Sequence, residues 1–183
     1  MKISALFFTL FTCQIYAQSD SININWAANY KLTWNDFKGN AKTQKTDESV
    51  AITHTRIKVA TEESEKKTTF VVTCIFDKQN SWTTVGDAYI LNHEQIHFDI
   101  AEIYARILRK KLSMINKKAQ NIEAKVNELH QLTFNDCNKF QVQYDTETNH
   151  SKNKMKQQIW NEKVRKLLAD YSAFATETVI IKK

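Results

Sequence analysis

His93 and His97 stand four residues apart with Glu94 beside the first, spelling H-E-x-x-H inside "YILNHEQIHFDIAEIYARIL" (residues 89–108). On a helix, positions four apart share one face a turn apart, so both imidazoles can reach one ion. Glu94 is rotated about 100° from His93, which places it beside such an ion rather than on it. That is the place for a general base acting on water, and the chemistry is zinc-assisted hydrolysis. Five letters also arise by chance, and a helix carrying two histidines without metal is the plainer alternative.

Two histidines do not complete a catalytic zinc site, which commonly has three protein ligands and a water. The remaining candidates are His54, His130, His150 and the carboxylates. Asp99 and Glu102 follow His97 on the same helix, about 200° and 140° around from it. "FDIA" offers no glycine or proline to turn the chain back, so Asp99 reads as a surface residue and Glu102 as a poor ligand. His130 in "NELHQL" reads as a packing or surface residue, and His54 as exposed on the polar face of a strand. His150 sits in "YDTETNHSKNK", a polar break from which a side chain can reach back across helices. It is the favoured third ligand, with the others still open.

The elements that must position these groups follow from periodicity. "SVAITHTRIKVAT" alternates as a strand, "EESEKK" turns, and "TTFVVTCIF" is a β-branched run, so the two form an antiparallel pair. From about residue 87 the period becomes helical, with Ile96, Ile100, Ile103 and Ile107 in step. A second helix lies within residues 119–132, with its continuation toward Tyr144 open. A third spans about 154–171, and "TETVIIKK" reads as a last strand. Strands first and helices after give an α+β fold, with antiparallel strands packed on a C-terminal set of helices.

The first 17 of the 183 residues read as a signal peptide: Lys2, an apolar stretch, then Ala17 before a polar run. Residues 18–183 are expected to form one exported, soluble domain, periplasmic or secreted, with no membrane span. Beyond the leader, Cys74 and Cys137 either pair in an oxidising compartment or stand as buried thiols. The net charge of +6 comes mainly from scattered lysines such as Lys110, Lys111, Lys117 and Lys118. No focused basic surface suggests a nucleic-acid partner. Trp34, Phe37, Trp82 and Trp160 read as core, with a substrate groove as their alternative.

"LTWNDFKG", the phenylalanine and tryptophan at 76 and 82, "LNHEQIHFDIAEIYAR", and "YDTETNH" followed by Trp160 occur in an order that resembles a bacterial family. It is the family of domain of unknown function 922, described as secreted zinc-dependent proteases. The resemblance covers nearly all of the chain after the leader. It implies a zincin-like domain whose metal helix carries His93, Glu94 and His97, and it places the "YDxxTxH" block on Tyr144, Asp145, Thr148 and His150. Where that family usually has glycine after the last histidine, this chain has Ser151. Where many zinc peptidases carry an apolar residue after the position of Phe98, it has Asp99.

The expected function is therefore that of an exported zinc metallopeptidase acting on a peptide or protein. His93, His97 and His150 are the ligands and Glu94 is the base. Tyr144 is a candidate phenolic donor to the oxyanion, with ring packing against a helix as its alternative. The rival reading is a zinc-binding envelope interaction module that catalyses nothing. Glu94 discriminates the two, because a binding module has no use for a base.

Overall fold

The computed structural model describes residues 21–44, 49–116 and 121–182. The leader therefore lies outside the described residues. Five strands and short turns precede the long helices: β1 (Asn23–Asn25), a 3-10 turn (Trp34–Asp36), α1 (Ala41–Gln44), β2 (Ala51–Ile52), β3 (Thr55–Glu63), β4 (Lys67–Asp77) and β5 (Trp82–Thr83). They are followed by α2 (Ala88–Ser113), α3 (Ile122–Thr148), α4 (Lys154–Asp170) and β6 (Thr178–Lys182). This is the α+β arrangement read from periodicity.

β4 is the centre of the main sheet. β3 pairs along one of its edges, with Thr55 opposite Phe76 and Glu63 opposite Thr68. β1 and β6 share the other edge, pairing with the C-terminal and N-terminal parts of β4. All pairings are antiparallel. The alternating residues Phe70, Val72, Cys74 and Phe76 are fully buried, and their face packs with Phe98, Ala101, Ala105 and Leu108 of α2. The single strand expected across residues 49–61 is instead divided. β2 pairs with β5 rather than with β4, and this carries the segment before β3 over α2 (Ala88–Ser113), where Thr53 donates to the Glu94 carbonyl at 3.3 Å.

α2 starts where Asp87 caps it, its carboxylate accepting from the Tyr89 and Ile90 amides at 2.8 and 3.0 Å. Its length comes from an apolar stripe plus buried polar anchors. Gln95 accepts from the Leu32 amide at 2.8 Å. Asp99, expected at the surface, is buried and accepts from Trp26 Nε1 at 2.8 Å and Gln95 Nε2 at 2.9 Å. Burial raises its pKa, against those bonds and the nearby Lys31 and Arg106. Glu102 is also buried, gripped by Arg106 Nε at 2.9 Å and Arg109 Nη1 at 2.8 Å. Arg109 in turn donates to the Val72 carbonyl from Nε and Nη2, at 3.1 and 2.8 Å. Trp26, from the segment after β1, and Val72 of β4 lie outside α2, which is why a helical wheel of α2 alone leaves Asp99 at the surface.

α3 is one helix of 27 residues, running straight through the stretch whose helicity was open. Val126, Thr133, Cys137, Tyr144 and Thr148 are its buried residues, and from Thr133 onward, with Gln141, they keep spacings of three and four. It ends at Asn149 in the left-handed region (φ 49°), which asparagine tolerates. His150 and Ser151 continue there at φ 48° and 69°. Trp82, Trp160 and Phe37 are core residues, as the plainer reading had it. Cys74 and Cys137 are both free and buried. No described helix is long and apolar enough to cross a membrane.

Candidate metal centre

α2 offers His93 and His97 on one face, and α3 lies against that face with Gln141 and Asp145 one turn apart. His93 Nε2 and His97 Nε2 are 3.2 Å apart, and each is 3.1 Å from Asp145 Oδ1. Ligand atoms around a tetrahedral zinc at 2.0–2.1 Å stand about 3.3–3.4 Å from one another. The triangle needs to open by only a few tenths of an ångström to become one face of such a site. Among the described residues these three form the one group of histidine, cysteine and acid side chains close enough to hold a metal ion.

The rings are prepared for that role by two glutamines. Gln141 Nε2 donates to the His97 carbonyl at 3.0 Å, which turns its Oε1 toward His97 Nδ1, within hydrogen-bond reach. Gln157 Nε2 donates to Tyr144 Oη at 2.7 Å and Asn161 Oδ1 at 2.8 Å, and its Oε1 faces His93 Nδ1 at 3.0 Å. An amide oxygen only accepts, so each Nδ1 carries the proton and each Nε2 lone pair turns into the triangle.

The electrostatics suit a cation. Burial disfavours the charged form of His97, but Asp145, Glu94 and Gln141 outweigh it and raise its pKa to about 8. Burial likewise opposes ionisation of Asp145, yet hydrogen bonds and charge from His93 and His97 hold it well below the usual carboxylate range. Glu94 is buried, and its Oε2 has no hydrogen-bond partner. An unpaired buried carboxylate oxygen is costly and is satisfied by a cation or its water. The donor set, the ring tautomers and this orphaned oxygen all fit a divalent metal.

Three expected residues therefore meet here: His93, His97 and Glu94. His150, expected as the third ligand, lies outside the triangle. It is mostly exposed, with Nδ1 3.9 Å from Asp145 Oδ1, and Asp145 takes the third place. The reason is the continuity of α3, which holds residue 145 on the inner face and leaves 150 beyond the helix end. Tyr144 is fully buried, stacked on His93 with ring centroids 4.6 Å apart. Its hydroxyl is engaged by Gln157 and by the His93 carbonyl at 3.3 Å. It supports the His93 ring rather than facing the cleft. Glu102 stays within its arginine pair, and His130 reaches the Ile57 carbonyl at 2.8 Å. Gln141 and Gln157 went unread as parts of the site, and Asp145 was named only within the resembling block, with no ligand role, although the spacing from Thr133 to Thr148 placed Gln141 and Asp145 near one helical face.

A cleft of about 620 Å³ opens over the triangle, within the range of small-ligand sites. The fold and site thus define an α+β protein with a two-histidine, one-carboxylate candidate metal centre in a cleft. The chain belongs to a bacterial protein family of unknown function, DUF922, whose model matches residues 17–151. No curated protein and no solved structure matches it.

Proposed function

We propose that the protein is an exported zinc-dependent hydrolase of the metallopeptidase type, acting on a peptide or related amide bond. The observation that carries this is the Nε2, Nε2, Oδ1 triangle with the unpaired Glu94 Oε2 buried beside it. His93, His97 and Asp145 hold the metal, and the two glutamines keep the rings in register. Zinc, when bound, supplies Lewis acidity, bringing the pKa of water to about 7 and polarising a carbonyl. Glu94 takes the proton from the attacking water and returns it to the leaving amine. His150, at the cleft rim, is free to donate to a substrate carbonyl. The export leader read in residues 1–17 supports an envelope or extracellular place of action.

A base whose buried Oε2 has no hydrogen-bond partner favours hydrolysis over a zinc-holding module. The test is a peptide-library digest by zinc-loaded wild type and Glu94→Gln, with metal content measured in both. The expected result is equal zinc and at least a hundredfold loss of turnover in the variant, in line with the worth of a general base. Equal turnover in both proteins overturns the assignment of the base, and no cleavage by wild type favours the binding module.

A further inference from the structure

The cleft has two unlike arms. α2 and α3 run antiparallel, since His97 meets Gln141 near one end of the contact and Lys111 meets Thr133 at 3.1 Å near the other. Beyond His93 the cleft is bordered by Ile90 of α2 and by the polar His150, Ser151 and Lys152. Beyond His97, one turn along α2, the lining becomes Ala101, then Ile57 of β3 and Phe134 and Cys137 of α3, with Asn138 the polar residue beside them. Burial pushes the Cys137 thiol up to about 12, so at neutral pH it is a small uncharged wall. Phe134 is 45% exposed, a large ring left unburied beside the opening.

The apolar arm also has an end. His130 lies one turn before Phe134 and bonds the Ile57 carbonyl at 2.8 Å. That bond ties α3 to β3 across the groove. On its far side a second hollow begins, bordered by Val59, Ile122 and Val126. From Gln141 to His130 along α3 the distance is roughly 16 Å at 1.5 Å per residue.

We infer that this arm is the specificity recess of the site. It takes an apolar group flanking the scissile bond, with Ala101 leaving it room, Phe134 and Cys137 walling it, and the His130–Ile57 bond setting its far limit. The inference rests on the zinc reading above. The polar arm, with Lys152 at its edge, makes no such demand on the other side of the bond.

The experiment is calorimetric binding of alkyl hydroxamates, from acetohydroxamate to dodecanohydroxamate, to the zinc-loaded full chain. Hydroxamate anchors on the metal, and the tail reads the recess without turnover. Wild type is expected to bind octanohydroxamate at least tenfold tighter than acetohydroxamate, each buried methylene contributing about fourfold. Phe134→Glu, at an exposed position the fold tolerates, is expected to remove most of that gain. His130→Ala is expected to raise the chain length at which affinity stops growing, with acetohydroxamate binding unchanged. Equal affinity along the series in wild type overturns the recess while leaving the zinc site intact. An unmoved plateau in a folded His130→Ala protein overturns the end stop. If zinc is bound but no hydroxamate binds, the hydrolase reading fails and the recess with it.

Discussion

Gln141 holds His97 at two points, donating from Nε2 to its carbonyl at 3.0 Å and presenting Oε1 to its ring Nδ1. One side chain thereby sets both the helix position and the tautomer of a candidate metal ligand. Gln141→Leu is expected to fold and to bind zinc ten- to a hundredfold more weakly, the usual worth of such a partner. Competition against a chromogenic chelator measures it, and an unchanged affinity removes Gln141 from the site.

Asp145 and His150 separate cleanly as third ligand. Asp145→Asn should lose most of the bound zinc, whereas His150→Ala should keep nearly a full equivalent. Metal analysis of the purified variants decides this, and the reverse pattern restores His150 to the ligand set.

In the metal-free protein His97 titrates near 8, above its ordinary 6.5. A proton there competes with metal, so zinc affinity should rise with pH up to about 8 and then level. For stability the sign is opposite. A raised histidine pKa stabilises the fold fully below about 6.5, and this is lost as pH climbs through about 8. Asp145, whose pKa is depressed, stabilises above about 3.9 and ceases to do so on strong acidification. Thermal melts of the chelated protein from pH 6 to 9 should therefore show a falling midpoint attributable to His97. His97→Gln should abolish that component.

Glu102 sits between two arginines, with Glu102 and Arg109 each only 1–2% exposed. Removing the acid leaves buried cations uncompensated, so Glu102→Ala should cost about 3–5 kcal/mol in urea unfolding. A cost under about 1 kcal/mol, that of an exposed pair, would show that the network does not anchor α2.

Ser151 occupies φ 69°, where a side chain costs about 1–2 kcal/mol and glycine only its extra chain entropy of about 0.5–1 kcal/mol. Ser151→Gly should stabilise the protein by about 0.5–1 kcal/mol on that balance. Equilibrium unfolding checks the sign.

Local pattern carried much of this molecule. Spacing of four put His93 and His97 on one face, and alternation from Phe70 to Phe76 marked the buried face of the central strand. Both depend only on the period of a backbone and on residue type, which the chain states directly. Asp87 likewise announced the start of α2. The third corner of the triangle was less legible. Asp145 lies 52 residues from His93, and its place depends on α3 staying helical through "YDTET" and then packing antiparallel on α2. The burial of Asp99 depended on Trp26, and that of the Glu102–Arg109 pair on Val72, partners that no helical wheel of α2 contains.

The sequence by itself therefore determined which residues can bind a cation and take a proton, because imidazole and carboxylate chemistry belongs to the side chain and its helical phase. The tertiary structure alone decided that Asp145 rather than His150 closes the triangle, and that Gln141 and Gln157 orient the rings. Those roles rest on distances of about 3 Å between helices, and such distances exist only once the helices have packed.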